Sequence, residues 1–416
     1  MVKYNYMKIL LEGYGKEGKA LEDYYKSHDK NITIDILENF TAEEIQQGDY
    51  SSYDIIYRSP SVPPMHLPNE SSATKLFFDS CPCPIIGVTG TKGKGTTCSF
   101  IKAILDATGE DAYLVGNIGF PAINVLDNLK PTSVVVFEMS SFQLWDLQKS
   151  PHVAVVLRIE ADHLNVHHGY DDYVNAKGHI AEFQKPEDSL VTFKDNEDSL
   201  KIAEKSCGKK FYYPGDKSEK MVELLNSIKI PGDHNKENAE AALIAVAAFY
   251  EIPVDELIEK NFDKIKAAFE EFRGLPHHIE FVRTLNNVDY YDDSFSASYP
   301  SLEVAIKSFA KKNVFLIAGG KDRGLDLAPI KKAIFTAPNL KKAILIGETK
   351  SKLAEGEDPN KFILAKTLEE AVKTAHDLAE SSDNAVVLLS PGAASFDMFK
   401  DFYDRGDQFK KLVGEL

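Results

Sequence analysis

A run of glycine, lysine and threonine at 90–97, G-T-K-G-K-G-T-T, has the composition of a loop that holds nucleotide phosphates. It follows a short apolar segment and precedes one with apolar side chains at helical spacing. Glycines let backbone N–H groups turn toward phosphate oxygens, and a helix N-terminus adds positive potential. Lys94 would supply a cation and Thr96 a hydroxyl for Mg²⁺. An incidental glycine-rich turn is the alternative, which this succession of elements disfavours.

Acidic and imidazole side chains follow two further β-branched segments. Glu138 ends V-V-V-F-E, whereas Glu160, Asp162 and His163 follow V-A-V-V-L-R-I. Ligands of parallel sheets bind outside the carboxyl ends of the strands, and a carboxylate there can hold Mg²⁺ against phosphate. Taken singly, Glu138 would also suit a surface acid at a strand end, and His163 would more often be a structural histidine. Their order after a phosphate loop favours a metal-assisted nucleotide site.

A second glycine pattern, G-Y-G-K-E-G at 13–18, also lies between a predicted strand and a predicted helix. On its own this pattern is weak. It would also suit the NAD site of a dehydrogenase, for which Glu38 is the candidate partner of the ribose.

Strands and helices must alternate to position these residues. The segments predicted as strands are 8–13, 32–37, 53–59, 85–90, 133–140, 152–163, 189–194, 275–282, 288–294, 313–320, 342–347 and 384–392. This alternation predicts an α/β protein with parallel sheets. The stretch from 59 to 84, which begins S-P-S-V-P-P and ends C-P-C-P, is predicted to be a linker, and Asn286-Asn287 a hairpin turn.

Length and charge limit the class of protein. The chain has 416 residues, of which 43% are hydrophobic, and a formal net charge of −16. The length predicts two or three domains. The negative charge argues against nucleic acid as a partner, because phosphate backbones bind basic surfaces. No apolar run approaches the roughly 20 residues that span a bilayer, and the first residues lack a signal-peptide region, so we expect a cytoplasmic protein without membrane contact.

In order and spacing, the motifs resemble those of the Mur ligases from about residue 87 to the C-terminus. They are G-T-K-G-K-G-T (90–96), N-I-G-F-P-A (117–122), F-E-M-S-S-F-Q-L (137–144), A-D-H-L (161–164), Y-V-N-A-K (173–177), G-D-H-N-K-E-N (232–238), G-L-P-H (274–277), D-D-S (292–294), G-G-K-D-R-G (319–324) and S-P-G-A-A-S-F-D-M-F (390–399). The third and the last of these resemble the branch of the family that adds D-glutamate.

The resemblance implies three domains and one reaction. The domains are a Rossmann-like N-terminal domain at 1–84 that binds UDP, a P-loop-type central domain at 85–274 that binds ATP, and a Rossmann-like C-terminal domain at 275–416. The reaction joins D-glutamate to UDP-N-acetylmuramoyl-L-alanine through an acyl phosphate, with ATP and two Mg²⁺ sites. It serves peptidoglycan synthesis, and through it cell shape and division. A monomer with only small-molecule partners is expected.

The resemblance also assigns single residues. The ATP site would contain Gly90, Thr91, Lys92, Gly93, Lys94, Gly95, Thr96, Asn235, Asn238, His278 and Asp293. The UDP substrate would contact Gly13, Gly15, Gly18, Ser59, Asn117, Ser140 and Gln143. D-Glutamate would contact Arg323, Ser395 and Phe402. Metal ligands would be Thr96, Glu138, His163 and a carbamylated Lys177, and the catalytic residues Lys94, His163 and Lys177.

Five positions differ from the family pattern. Lys92 and Gly95 change the phosphate loop, the second toward folylpolyglutamate synthase, and His278 replaces an arginine that reaches ATP. Phe295 and Ala297 replace a lysine and a threonine near the amino-acid end of the site. The identity of the added amino acid therefore stays open. The alternatives are a sister Mur-type or folylpolyglutamate-type ligase, a nucleotide-binding module without catalysis, and a dehydrogenase.

Overall fold

The computed structural model describes residues 7–38, 48–65, 67, 69–117, 119–162 and 166–416. It confirms an α/β protein with parallel sheets. The chain divides into two compact units. Unit 1 comprises Met1–Ser227 and Lys236–Phe269, and unit 2 comprises Ile228–Asn235 and Glu270–Leu416. Two sheets lie in unit 1 and one in unit 2, while the domain boundaries at 84/85 and 274/275 stay a prediction.

The first sheet of unit 1 has four parallel strands in the order β2-β1-β3-β4. Its elements are β1 Lys8–Glu12, α1 Lys16–His28, β2 Thr33–Leu37, β3 Ile55–Arg58, β4 Glu70–Ser72 and α2 Ala73–Ser80. The predicted linker before residue 84 was therefore wrong. Strand β4 is short and polar, so it lacks an apolar pattern. Helix α2 is nevertheless capped by the Ser72 hydroxyl, which accepts a hydrogen bond from Lys75 N at 3.1 Å.

The second sheet of unit 1 has six parallel strands in the order β10-β9-β8-β5-β7-β6. They are β5 Ile85–Thr89, β6 Ala112–Gly116, β7 Val134–Glu138, β8 Val153–Val156, β9 Ser189–Phe193 and β10 Lys209–Tyr213. Every residue of β5, β7 and β8 is buried, as expected for β-branched strands covered on both faces. Because β5 lies between β7 and β8, the segments that follow these three strands meet at one edge of the sheet.

The remaining helices of this part of the chain are α3 Lys94–Thr108, α4 Ser141–Leu144, α5 Tyr170–Glu182, α6 Glu197–Glu204, α7 Glu219–Ser227, α8 Asp233–Phe249 and α9 Val254–Glu271. A 3₁₀ turn spans Ala122–Asn128. Among the described residues, the structure contains no helix whose length and hydropathy would suit a membrane span.

The sheet of unit 2 has the order β11-β12-β16-β13-β14-β15, and only β11 runs antiparallel to its neighbour. Its strands are β11 Glu280–Leu285, β12 Val288–Asp292, β13 Asn313–Ala318, β14 Leu340–Leu345, β15 Phe362–Leu364 and β16 Ala385–Leu389. Its helices are α10 Tyr299–Ser308, α11 Ala328–Phe335, α12 Lys350–Ala354, α13 Leu368–Ala379 and α14 Phe402–Glu415. The predicted hairpin is confirmed, since Asn286 and Asn287 have φ angles of 50° and 62° between β11 and β12.

A cluster of buried charges connects the two sheets of unit 1. The Arg58 guanidinium, at the end of β3, donates to Asp146 Oδ1 at 2.6 Å and to the Val62 carbonyl at 2.7 Å. Glu12, at the end of β1, is 0% exposed. Burial, together with the nearby Glu70 carboxylate, raises the pKa of Glu12 to about 7.

Glu12→Gln should therefore stabilise unit 1 at neutral and alkaline pH. Glu12 has a higher pKa in the folded state, so its contribution to folding is fully present below pH 4.5 and is lost as the pH rises through 7. Over that range the wild type should lose about 3 kcal/mol relative to the variant. Urea unfolding at pH 5 and pH 8 measures this, with fluorescence of the single tryptophan, Trp145, as the reporter. Exposed Glu204→Gln is the control, and an equal variant-to-wild-type difference at both pH values would contradict the prediction.

Candidate active site

The phosphate loop has the geometry that its sequence predicts. Strand β5 ends at Thr89 and helix α3 begins at Lys94. Gly90 and Gly93 have φ angles of 152° and 85°, which favour glycine. A Cβ at position 93 would lie 2.5 Å from Asn238 Oδ1, so the loop also passes close to a predicted ATP contact. The loop thus presents backbone N–H groups at the start of a helix, where an anion binds well.

Two lysine side chains converge on the carbonyl oxygen of Gly90. Lys94 Nζ lies 3.1 Å from this oxygen and 3.0 Å from the Thr91 carbonyl. Lys177 Nζ, from α5, lies 2.9 Å from the same Gly90 oxygen. Lys177 is 2% exposed, so the prediction of a lysine inside the site rather than on the surface agrees with its position.

Burial sets the proton affinity of both amines. The pKa of Lys177 is lowered well below its ordinary value, first by burial and then by the nearby Lys94 ammonium. Burial also lowers the pKa of Lys94, whereas the Glu138 carboxylate opposes that shift. The carboxylates of Asp162 and Glu138 likewise oppose the lowering of the Lys177 pKa. The edge of the sheet therefore brings together two amines and two carboxylates.

Glu138 fits a metal-binding role better than the present form of Lys177 does. It ends β7 and is buried, and Asn117 N donates to its carbonyl oxygen at 3.3 Å. Mg²⁺ prefers oxygen ligands, which a lysine amine does not offer in either protonation state, so Lys177 fits the predicted ligand set only as a carbamate. Thr96 lies in the first turn of α3. His163 lies outside the described residues.

The segment after Glu138 is held by contacts that the motifs did not indicate. Ser140 caps α4, and Gln143 closes a capping box by accepting from Ser140 N at 3.0 Å. The Gln143 side chain donates to Glu17 Oε1, in α1, at 2.7 Å. This bond joins the two predicted substrate-binding segments of unit 1.

His167, which no motif indicated, lies in a loop and is buried. Its Nε2 lies 2.9 Å from Ser141 Oγ and its Nδ1 lies 3.2 Å from Asp172 Oδ2. The ring stacks on Phe142 with a centroid distance of 5.1 Å and an interplanar angle of 6°. His167 thereby fixes α4 against the start of α5, the helix that carries Lys177.

The glycine pattern at 13–18 also has the expected surroundings. Gly13 has a φ of 86°, and a Cβ there would lie 2.9 Å from the Ser59 Cβ. Ser59 N donates to the Glu12 carbonyl at 2.9 Å. A Cβ on Gly18 would meet the Gly13 carbonyl at 2.7 Å, whereas Gly15 is exposed. The structure brings Gly13, Gly18 and Ser59 together, and their binding of UDP stays a prediction.

In unit 2, Asp293 follows β12 and accepts from Ser390 Oγ at 2.7 Å and from Ile279 N at 3.2 Å. Burial raises the pKa of Asp293 to about 7. Asn235, which belongs to this unit, donates to the Pro231 carbonyl at 2.6 Å. Asp293 thus lies at the carboxyl edge of the sheet of unit 2, where a ligand is expected.

Two of the residues that differ from the family pattern contact each other. His278 stacks on Phe295 at a centroid distance of 4.1 Å. Phe295 also meets the ring of Phe402 edge to face at 5.1 Å. Phe295 is 49% exposed, so an aromatic surface stands where the family pattern has a lysine.

The predicted D-glutamate residues lie on adjoining loops. Lys321 N donates to the Ala394 carbonyl at 2.8 Å, so the loop of Arg323 runs beside the loop of Ser395. Arg323 is exposed and Ser395 is buried. Phe402 begins α14, and its carbonyl accepts from Ser294 Oγ at 2.8 Å. The structure brings Ser395 and Phe402 to the loops around Asp293, while their contact with an amino acid stays a prediction.

Among the described residues, three donors that could share a metal ion are His277, Glu280 and Asp292. His277 Nδ1 lies 2.7 Å from Asp292 Oδ2. The Lys410 ammonium lies 3.1 Å from Glu280 Oε2 and already supplies a positive charge. We interpret this group as a polar network in which the Lys410–Glu280 ion pair joins α14 to β11.

Known proteins share these features. The family model of the Mur ligase middle domain matches residues 88–246. The chain is 35% identical over 402 residues to the UDP-N-acetylmuramoylalanine--D-glutamate ligase of Acetivibrio thermocellus, covering 88% of this chain and 83% of the relative. It is 30% identical to the ligase of the same name from Clostridium tetani, covering 98% of this chain and 94% of the relative.

A solved structure shares the fold. The MurF ligase of Thermotoga maritima in complex with ADP is similar with a TM-score of 0.58 at 16% identity, covering 99% of this chain and 96% of that chain. At such low identity this likeness shows the fold alone. The two D-glutamate ligases, in contrast, match over most of their length at 30% identity or more. Together with the phosphate loop and its two lysines, they show that this chain belongs to the Mur ligase family.

Proposed function

We propose that this protein joins D-glutamate to UDP-N-acetylmuramoyl-L-alanine with ATP, in peptidoglycan precursor synthesis. The observation that carries the reaction type is the convergence of Lys94 and Lys177 on Gly90, beside the Glu138 carboxylate. The names of the relatives at 35% and 30% identity support these substrates. ADP in the MurF ligase structure supports ATP as the nucleotide.

The proposed reaction begins with the alanyl carboxylate, which is a poor electrophile until it carries a leaving group. Its oxygen attacks the γ-phosphorus of ATP, which releases ADP and forms an acyl phosphate. The D-glutamate amine then attacks the carbonyl carbon, loses a proton, and the tetrahedral intermediate expels phosphate to leave an amide. Lys94 and the N-terminus of α3 hold the phosphate during both steps.

Mg²⁺, when bound, would neutralise charge on the phosphates, and Glu138 is the described carboxylate placed to hold it. A second site would need an anion where Lys177 now has an amine. Its lowered pKa leaves a larger share of this amine neutral, and a neutral amine can add to CO₂ to give a carbamate. A carbamylated Lys177 would therefore be negatively charged and able to bind metal.

The identity of the added amino acid is the part of this proposal with the least support. Phe295 and Ala297 offer no cation and no hydroxyl to a carboxylate, so Arg323 and Ser395 would have to bind it. The stacked His278 and Phe295 also cannot supply the guanidinium fork that the family pattern places near ATP. A sister ligase with a different amino acid is therefore the second candidate.

The direct test is phosphate release from ATP and Mg²⁺ with UDP-N-acetylmuramoyl-L-alanine and one amino acid at a time. D-Glutamate should support turnover, while L-glutamate and L-lysine should not. Turnover with L-lysine alone would move the protein to a sister step. Turnover with none of them would contradict this acceptor, and ATP binding measured separately would tell whether the nucleotide site works.

Lys94→Ala and Glu138→Ala should each lower kcat/KM at least roughly 10²-fold, because each removes charge that balances the moving phosphate. The same phosphate-release assay measures this, with thermal melting to confirm folding. Lys102→Ala is the matched control, since Lys102 lies on the same helix but pairs with Asp106. A folded Lys94→Ala enzyme with near wild-type turnover would remove this residue from the mechanism.

Lys177→Ala should be inactive and partly restored by formate or acetate. A small carboxylate can occupy the space of the missing carbamate and bind metal in its place. Activity is measured against increasing carboxylate concentration, with Lys94→Ala as the control that these anions should not restore. Restoration of neither variant, with both folded, would count against the carbamate.

A further inference from the structure

Arg405 lies on α14 and is 0% exposed, although no motif indicated it. Long charged side chains are rarely buried this fully unless every donor has an acceptor. In this part of the molecule the acceptors come from two different loops. One follows β12 and contains Asp293 and Ser294, and the other follows β16 and contains Ala393 and Ser395.

All three nitrogen atoms of the guanidinium make hydrogen bonds. Arg405 Nε donates to Ser294 Oγ at 3.0 Å, and Nη2 donates to the Ser294 carbonyl at 2.8 Å. Arg405 Nη1 donates to the Ala393 carbonyl at 3.1 Å. One planar group therefore fixes the distance between the β12 loop and the β16 loop.

The charge of Arg405 is balanced at longer range. No carboxylate of the described residues forms an ion pair with it, and burial lowers its pKa to about 10. The carboxylates of Asp397, Asp292 and Asp293 oppose this shift. Since three neutral oxygens occupy the donors directly, the main effect of this side chain is geometric.

The same hydrogen bonds reach the predicted ligand-binding residues. Ser294 Oγ, which accepts from Arg405, donates to the carbonyl of Phe402. Asp293 precedes Ser294 and is held to the β16 loop by Ser390. A Cβ on Gly320 would lie 3.3 Å from Arg405 Nη1, so the loop leading to Arg323 also passes this group.

We propose that Arg405 is a positioning residue that holds the nucleotide side of unit 2, at Asp293, and its amino-acid side, at Ser395 and Phe402, in one fixed arrangement. This inference rests on the proposed function for the identity of the two ligands. The hydrogen bonds of Arg405 go to Ser294 and Ala393, so it acts on both sides through these two residues.

The test compares Arg405→Ala, Arg405→Lys and Ser294→Ala in the phosphate-release assay. A small displacement of reacting groups can lower a rate roughly 10²-fold, and Arg405→Ala should lower kcat/KM by about that factor. The KM values for ATP and for D-glutamate should rise together, because one side chain fixes both loops. Arg405→Lys should behave similarly, since an ammonium lacks the planar fork. Ser294→Ala should also raise both KM values, with a roughly tenfold loss of kcat/KM.

Guanidinium rescue separates positioning from general destabilisation. Millimolar guanidinium should enter the space left in Arg405→Ala and lower both KM values again, and it should not restore Arg405→Lys, whose side chain fills that space. Lys411→Ala, an exposed lysine of the same helix, is the control that should keep wild-type values.

Each outcome bears on a different claim. The inference is supported if the wild-type enzyme turns over and Arg405→Ala shows a rise of both KM values that guanidinium reverses. The inference is overturned if the wild-type enzyme turns over but folded Arg405→Ala changes only one KM, or is not rescued by guanidinium. If Arg405→Ala does not fold, a rise of only one KM in both Arg405→Lys and Ser294→Ala overturns it as well. Absence of wild-type turnover overturns the proposed substrates instead, and guanidinium-dependent stabilisation of Arg405→Ala in thermal melting then decides the structural part.

Discussion

A buried cation must either find oxygen atoms to replace its water or give up its proton, and the site of unit 1 depends on this constraint. Lys94 and Lys177 share the Gly90 carbonyl, which is available because Gly90 has a φ that favours glycine. The strand order β8-β5-β7 supplies the carboxylates of Glu138 and Asp162 at the same edge. Loop conformation and strand order thus both place oxygen atoms around the two buried amines.

Unit 2 meets the same constraint in another way. Arg405 keeps its charge because three neutral oxygens surround its fork, and Asp293 is held by a hydroxyl and a backbone N–H. In both units the polar groups stand at the carboxyl ends of strands that are otherwise apolar. A parallel sheet leaves polar backbone and loop atoms exposed at that edge, which is why ligands of such folds bind there.

The sequence predicted what depends on local pattern. Most strands of the three sheets, the phosphate loop and the Asn286-Asn287 turn could be predicted because hydrophobic period and turn chemistry act over a few residues. Strands β4, β6, β10 and β15 and helix α2 were missed. Glu70–Ser72 carries no apolar signal, and Lys209–Tyr213 begins with two lysines. His167, Glu17 and Arg405 could not be identified, because each has a partner that only folding brings close: Ser141, Gln143 and Ser294 lie 26, 126 and 111 positions away.

The hydrogen bond from Gln143 to Glu17 has an evolutionary consequence. It joins two sheets through side chains that are 126 positions apart in sequence. Because the Gln143 amide donates to the Glu17 carboxylate there, a substitution at either position removes a hydrogen-bond partner of the other. Lineages that change Gln143 are therefore under selection to change Glu17 as well, and the two positions are expected to covary.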